Sequence, residues 1–480
     1  MSIESNRFPD RWKTAKVIPV WKGDDKLEAN NYRPVSQLSP ISRVIEKVIA
    51  IQVIGYLENV GLLNPSIHGY RKHHSCETSI LEVLEEVAES QEEKSHTAIC
   101  MYDQSAAFDV VDHPLLLQKL RLYGFDQRSL AWMTSYLSQR YQSVCIDGTL
   151  SDPLAVTVGV PQGSILGPLC YIIYTNDLPE TIFTCQAHHP RTKKFSTHCA
   201  DCGSVCCFAD DSTLSISHSD PEVLTEKLSE KYSLLSEYLT SNRLKLNDDK
   251  THLILMTTSQ NRRLKNPQIQ VQTPNETINT SNSEKLLGGF IHEDLKWKEH
   301  IVDNENSLIK SLTTRLNALK KMSTCANFKM RLMVANGIFI SKLIYLIPLW
   351  GGACGYLVKM LQVVQNQNQK VLLKQCNWLS VAQLSAYHSL VTTHKIMLSQ
   401  EPKYLYNKFG TAYPCQTRLA ASKKIRITAN FDAELSLAHQ SFRWRASRLY
   451  NELPISIRSE SKVVGFKFQL KQWVKANIDI

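Results

Sequence analysis

Two short apolar runs end abruptly on carboxylates, and that pattern limits what the chain can fold into more than any other feature. Ala98-Ile99-Cys100-Met101-Tyr102 has strand length and ends on Asp103. Cys206-Cys207-Phe208-Ala209 ends on Asp210-Asp211 and is followed by the alternation Thr213, Leu214, Ser215, Ile216. Runs of this length and pattern predict strands, the second of them a hairpin with its acids at the tip. Packed side by side, the strands would gather three carboxylates with little to neutralise them. Hard oxygen ligands suit Mg²⁺, and two such ions ~3.5–4 Å apart can stabilise the attacking and leaving oxygens of an in-line phosphoryl displacement. Asp103, Asp210 and Asp211 are therefore the candidate metal ligands, whereas Asp109 and Asp112, near a turn, read as solvated acids.

The remaining pattern is mixed helix and strand. Val17 to Val20 followed by Gly23-Asp24-Asp25 predicts a strand and a turn. Ile41, Val44, Ile45, Val48, Ile49 and Val53 recur at helical steps, predicting an amphipathic helix over 39–57, and further helices are expected over 77–89, 115–120, 130–137 and 221–242. Strands are expected at 142–146 and 154–158 around Asp147-Gly148, and at 250–256. Gly159-Val160-Pro161-Gln162-Gly163-Ser164 is a rigid turn, with Ser164 placed to cap the apolar helix that runs to 174. The polar tract 273–283 reads as a loop, and from 300 onward the pattern is helical.

Composition narrows the partners. At 480 residues and 43% hydrophobic the chain can bury a sizeable core. Its net charge of +10 favours a polyanion, nucleic acid first. Most of that excess lies between 401 and 480, where 14 Lys/Arg face 6 Asp/Glu, so a cation patch is expected there. Residues 1–13 are polar, which with 13 cysteines argues against a secreted disulfide scaffold and for a reducing, intracellular compartment, nucleus or cytoplasm. The most apolar stretch, 332–358, is interrupted by Asn336, Lys342 and Pro348, so a buried helix and loop is expected there and no membrane span.

At this point the residues resemble a known family. Tyr102-Asp103-Gln104-Ser105-Ala106-Ala107-Phe108-Asp109 resembles motif A of reverse transcriptases. The turn Gly159 to Ser164 resembles motif B, and Phe208-Ala209-Asp210-Asp211 resembles motif C. Asn31-Tyr32-Arg33-Pro34-Val35-Ser36 is similar to a fingers motif, Leu246-Asn247-Asp248-Asp249-Lys250-Thr251 to motif D, and Leu286-Leu287-Gly288-Gly289-Phe290-Ile291 to motif E. The wording is that of non-LTR (LINE-like) retrotransposon polymerases, from residue 8 to about residue 474.

That resemblance implies an α/β (α+β) right-hand polymerase fold. Fingers with the start of the palm would occupy 1–97, the palm 98–299 with a Cys/His-rich insertion at 178–207, a helical thumb 300–400 and a basic C-terminal region 401–480. It implies an RNA-directed DNA polymerase that binds template RNA, primer DNA and dNTPs. Asp103, Asp210 and Asp211 would hold two Mg²⁺, with Lys250 suited to protonate departing pyrophosphate. Lys22 and Arg33 would clamp the triphosphate, Phe108 would exclude a ribose 2′-OH, and Gln162 would contact nucleotide and template between Gly159 and Gly163. Gly288 and Gly289 would form the primer grip, and the basic C-terminal end would follow duplex phosphates.

The insertion departs from the family pattern. Cys185-x2-His188 and Cys199-x2-Cys202 offer four ligands in two close pairs, the set of a tetrahedral structural Zn²⁺ site, against the alternative of a loop with buried or free cysteines; Cys206 and Cys207 belong to the strand entering motif C. The competing functional reading is a catalytically silent, domesticated or decayed nucleic-acid-binding relic. An RNA-dependent RNA polymerase is disfavoured by Phe108. Elements of this kind usually encode an endonuclease upstream, and the sequence opens just before the fingers, so either it is a fragment of a longer protein or a separate endonuclease supplies the nick.

Overall fold

Side-chain period decides the elements: apolar residues at every second position make extended chain, and at every third or fourth position helix. The computed structural model describes residues 2–478 apart from 24, 184–202, 266, 274–276, 323–324, 372–377, 413–425 and 430–440. The chain opens with β1 (Thr14–Trp21), β2 (Tyr32–Gln37), α1 (Pro40–Val60), α2 (Cys76–Glu92) and β3 (His96–Gln104). There follow α3 (His113–Leu122), α4 (Gln127–Leu137), β4 (Arg140–Ile146), β5 (Thr149–Leu150), β6 (Leu154–Val156), α5 (Leu166–Thr175) and α6 (Leu178–Ile182). Then come β7 (Ser204–Phe208), β8 (Asp211–His218), α7 (Pro221–Ser241), β9 (Leu246–Met256), β10 (Gln270–Gln272), β11 (Thr277–Ser281), β12 (Ser283–Leu286) and β13 (Gly289–His292). Beyond 299 the described residues are mainly helical.

Six strands form one sheet in the order β10-β11-β9-β3-β8-β7. β3 lies inside it, antiparallel to β8 from His96↔His218 to Tyr102↔Ser212 and to β9 from Thr97↔Met256 to Met101↔His252. Successive side chains point to opposite faces. Ala98, Cys100 and Tyr102 enter a core shared with α3, α5 and α7; Ile99 and Met101 enter a second core built with α2 and the C-terminal helices. A strand covered on both faces is apolar at every position, which is why 98–102 reads as an unbroken run.

A second sheet, β2-β1-β4-β5 with β6 on β4, joins the N-terminal strands to the segment 140–156. Its Asp147-Gly148 turn takes φ of 49° and 87°, the two left-handed residues that a tight hairpin demands. Strands β4 to β6 thus belong with the N-terminal strands although they lie within 98–299.

Three sequence expectations need correction. Helix α1 forms, but Ser42, Glu46, Ala50 and Leu57 are its buried residues, while Ile41, Val44 and Val48 are exposed and Ile45, Ile49 and Val53 are only half-buried. The tract 273–283, read as a loop, carries β11 and the start of β12: β11 needs one inward side chain, Ile278, to sit between β10 and β9. The basic end is not simply a surface patch. Arg443 is buried against Glu85 and Glu89 of α2, Lys408 reaches Glu89 at 2.7 Å, and Arg445 donates to the Pro348 carbonyl at 2.7 Å. A buried, acid-bearing α2 consumed those cations.

The apolar stretch 332–358 is broken into short helices by Leu346 at φ 57° and closes on Trp350, which is fully buried. Among the described residues no helix is long and apolar enough to cross a membrane.

Candidate active site

Asp103 stands one residue past the last pair of β3 with β8, Tyr102↔Ser212, and Asp211 opens β8 opposite Phe208. One further step of the ladder sets Asp103 beside Asp211. The two-residue turn is Ala209-Asp210, with Ala209 at φ 58°, a conformation that costs an alanine ~1–2 kcal/mol. Neighbouring backbone holds it there. His68 N–H donates to the Cys207 carbonyl at 2.8 Å and Cys207 N–H donates to Ser66 at 2.9 Å, so residues 66–68 flank β7. Gly69 then passes so close that a Cβ would lie 2.8 Å from the Ala209 nitrogen.

Charge accumulates at that tip. Burial first, then the charges of Asp210 and Asp103, push the Asp211 carboxyl up to about 6, against opposition from Lys250 and Lys285. Asp210 is likewise raised, by burial first and by Asp103, while its own backbone hydrogen bond, Arg33 and Lys250 pull the other way. Mutually destabilised carboxylates are what a divalent cation relieves, so the donor set fits Mg²⁺ in chemistry. In geometry it is open: among the described residues the one trio of Cys, His, Asp or Glu with ligand atoms all within 4.8 Å of one another is His68, Glu82 and Cys206. Gathering the three aspartates on shared cations takes rotation of their carboxylates and release of Lys250. The register of β3 on β9 shifts between Met101 and Asp103, and Lys250, in the part of β9 that the shift passes over, places Nζ 3.0 Å from Asp103 Oδ2.

The turn of motif B is tied to this site by backbone. Val160 N–H donates to the Phe108 carbonyl and Ser36 N–H to the Gln162 carbonyl, both at 2.8 Å. Gly159, at φ 81°, leaves no room for a Cβ, which would lie 2.5 Å from the Asp109 carbonyl oxygen. Gln162 Nε2 donates to Asp109 Oδ2 at 2.8 Å, and the charge of Lys22 acts on the same carboxylate, so Lys22, Asp109 and Gln162 form one group. Phe108 lies against Tyr171, ring centroids 4.9 Å apart. Arg33, exposed on β2, acts electrostatically on Asp210.

Gly288 and Gly289 lie at the β12–β13 turn, with Leu287 at φ 45° and Gly288 at φ 85°; Tyr345 O–H donates to the Leu287 carbonyl at 2.6 Å and seats that turn on the helical segment. Cys185, His188, Cys199 and Cys202 lie outside the described residues. Among the described residues Cys76, Cys100, Cys145, Cys170, Cys206, Cys207 and Cys354 form no disulfide. A cleft of about 550 Å³ lined by Ile49, Tyr56, Phe125, Trp132 and Met133 contains none of the predicted site residues.

Asp109 and Asp112 are not the solvated acids that the sequence suggested. Asp109 is half-buried and raised by that burial, with Gln162 and Lys22 opposing. Asp112 is buried, accepts from Leu115 N–H at 2.9 Å as the cap of α3, and pairs with Arg243. Sequence reasoning also missed Tyr70 and Glu46. Tyr70, at φ 60°, has its hydroxyl raised by burial and then by the charge of Asp210. Glu46 Oε2 accepts from Ile165 and Leu166 N–H at 2.8 and 3.2 Å, closing the N-terminus of α5, while Ser164 Oγ accepts from Gly167 N–H at 2.9 Å as expected of a cap. A single acid among the apolar positions of 39–57 was the available signal for Glu46.

A mainly antiparallel sheet, in which only β11 runs parallel to its neighbour β9, with acids at a hairpin tip, an N-terminal strand sheet and a following helical segment, is the arrangement of a right-hand polymerase. The family model described as reverse transcriptase (RNA-dependent DNA polymerase) matches residues 20–288, and the chain belongs to that family. Its sequence relatives include non-LTR retrotransposon proteins. One, from Drosophila melanogaster, is described as a probable RNA-directed DNA polymerase from transposon X-element, 26% identical over 77% of this chain and 38% of its own length. The RNA-directed DNA polymerase from mobile element jockey of Drosophila funebris is 26% identical over 75% of this chain and 37% of its own length. The chain thus spans less than two-fifths of either relative. Among solved structures, telomerase of Candida tropicalis in complex with a telomeric RNA fragment aligns over 99% of this chain and 65% of its own, at 10% identity and a TM-score of 0.43.

Proposed function

We propose that this chain is the polymerase part of a non-LTR retrotransposon protein and extends a primer 3′-OH with dNTPs along template RNA. The observation that carries this reading is the sheet register, which brings Asp103 at the end of β3 next to the hairpin of β7 and β8 that carries Asp210 in its turn and Asp211 at the start of β8. Those three side chains would hold Mg²⁺, which when bound supplies stabilisation of the attacking and leaving oxygens. Lys250, released from Asp103, is the proton donor to pyrophosphate. Lys22 and Arg33 bind the triphosphate, Arg33 by paired N–H donors. Phe108, backed by Tyr171, fills the space of a 2′-OH. Gln162, held by Asp109, faces nucleotide and template, and the turn of Gly288 and Gly289 serves as the primer grip. Residues 1–97 act as fingers with the start of the palm, 98–299 as palm, 300–400 as thumb and 401–480 as a basic flank for the duplex.

Primer extension on poly(rA)/oligo(dT) with Mg²⁺ tests the reading: wild type extends and Asp210→Asn falls roughly 100- to 1000-fold, since loss of a charge stabiliser of the transition state costs ~2.7–4 kcal/mol. Phe108→Val is expected to admit rNTPs with dNTP extension largely kept. A wild-type chain that folds and binds RNA without extending primer would replace this reading with the silent relic.

A further inference from the structure

Beneath the face of the sheet that carries Asp103 and Asp211 lies a second group of ligating side chains that the polymerase reaction does not use. Cys206 pairs with Thr213 across β7 and β8, so it shares the face of Met101 and Asp211 and points at α2. There it meets Glu82 of α2 and His68 of the segment flanking β7, with one ligand atom of each within 4.8 Å of the other two. All three are buried, at 1 to 3% exposure. His68 Nε2 is 2.5 Å from Glu82 Oε2, while His68 Nδ1, equally buried, has no hydrogen-bond partner.

We propose that His68, Glu82 and Cys206 bind one Zn²⁺, which braces the catalytic hairpin from behind. The donor set is thiolate, imidazole and carboxylate, the three ligand types of protein zinc sites. Charge decides for a divalent ion: with the thiol proton released to solvent, one thiolate, one carboxylate and a neutral imidazole cancel +2, leaving a buried site with no net charge. Supporting contacts are in place. Ser79 Oγ lies 3.0 Å from Cys206 Sγ, where its hydroxyl donates to a thiolate. The Tyr404 ring lies 5.4 Å from that of His68, and its hydroxyl donates to the Thr78 carbonyl at 2.5 Å, closing the cluster from the C-terminal side. His74 stands beside the cluster: its ring is 5.2 Å from that of His68, and its Nδ1 donates to the Lys72 carbonyl at 2.9 Å. The three ligands come from separate places, two of them joined by backbone hydrogen bonds at Cys207, so the ion would lock α2 to β7, whose turn carries Asp210 four residues after Cys206.

The test uses the full chain carrying Cys199→Ser and Cys202→Ser, which removes the cysteine pair of the insertion. Expected are about one zinc per chain by elemental analysis and, after exchange for Co²⁺, a thiolate-to-cobalt charge-transfer band. Adding Cys206→Ser abolishes the band and the bound zinc, and His68→Gln lowers zinc retention at least tenfold, with circular dichroism confirming the fold of each. No zinc bound by the Cys199→Ser, Cys202→Ser chain after incubation with Zn²⁺, or zinc and band unchanged by Cys206→Ser, overturns the proposal. If Cys206→Ser does not fold, the Co²⁺ spectrum of the parent decides alone: no thiolate band, no site. Polymerase activity enters none of these readouts.

Discussion

At the scale of the residue, Asp211 expresses the conflict between folding and function. Its carboxyl is raised to about 6, so the folded chain holds that proton more tightly than the unfolded chain does. The corresponding contribution to stability is present at low pH and is lost as pH rises through about 6. Asp211→Asn is therefore expected to raise the melting temperature at pH 7 in the absence of divalent ions, the difference from wild type shrinking towards pH 4, while extension activity is lost. Thermal melts of both chains across that range check it; a variant less stable than wild type at pH 7 would mean that the three acids do not repel one another. The acids themselves were legible in the sequence because an abrupt carboxylate after an apolar run is a local pattern. Asp109 was not, because its importance comes from Gln162, 53 positions away, and from Lys22, just past the end of β1.

At the scale of the element, the hairpin of β7 and β8 is shaped by what passes beside it. Ala209 keeps φ 58° next to Gly69, whose missing side chain admits the contact. Gly69→Ala puts a Cβ 2.8 Å from a backbone nitrogen, which must move; a cost of ~1–3 kcal/mol follows. Because the turn carries Asp210, extension activity is expected to fall on the order of 10- to 100-fold. Gly61→Ala is the control: it occupies φ 71° at the end of α1 with no atom within 4 Å of a new Cβ, so it strains the backbone and leaves activity intact. Urea unfolding together with steady-state extension separates the two effects. Helix and strand positions were largely readable from period, but which face of α1 turns inward was not. Glu46 is needed at the N-terminus of α5, and that requirement outweighs the apolar stripe at Ile41, Val44 and Val48.

At the scale of the whole molecule, α2 is the joint. It covers one face of the central sheet and is itself covered by the C-terminal helices, with Glu85 and Glu89 meeting Arg443 and Lys408. Arg443→Ala leaves Glu85 buried without its cation and is expected to cost ~3–5 kcal/mol, whereas replacing Arg443 and Glu85 together by methionine costs far less. Equilibrium unfolding of the two variants measures the difference; equal losses would mean that packing and not charge holds this contact. Local periodicity determined the elements from the sequence by itself, the resemblance of its motifs gave the family, and the acids at the ends of apolar runs marked the three aspartates as candidates, all of them properties of neighbouring residues. Only the tertiary structure decided that cations of the basic end turn inward to α2, that Lys250 occupies Asp103, and that His68, Glu82 and Cys206 meet. Those pairings join residues up to 358 positions apart, and no local pattern carries the free energy of a contact that exists only once both cores have closed.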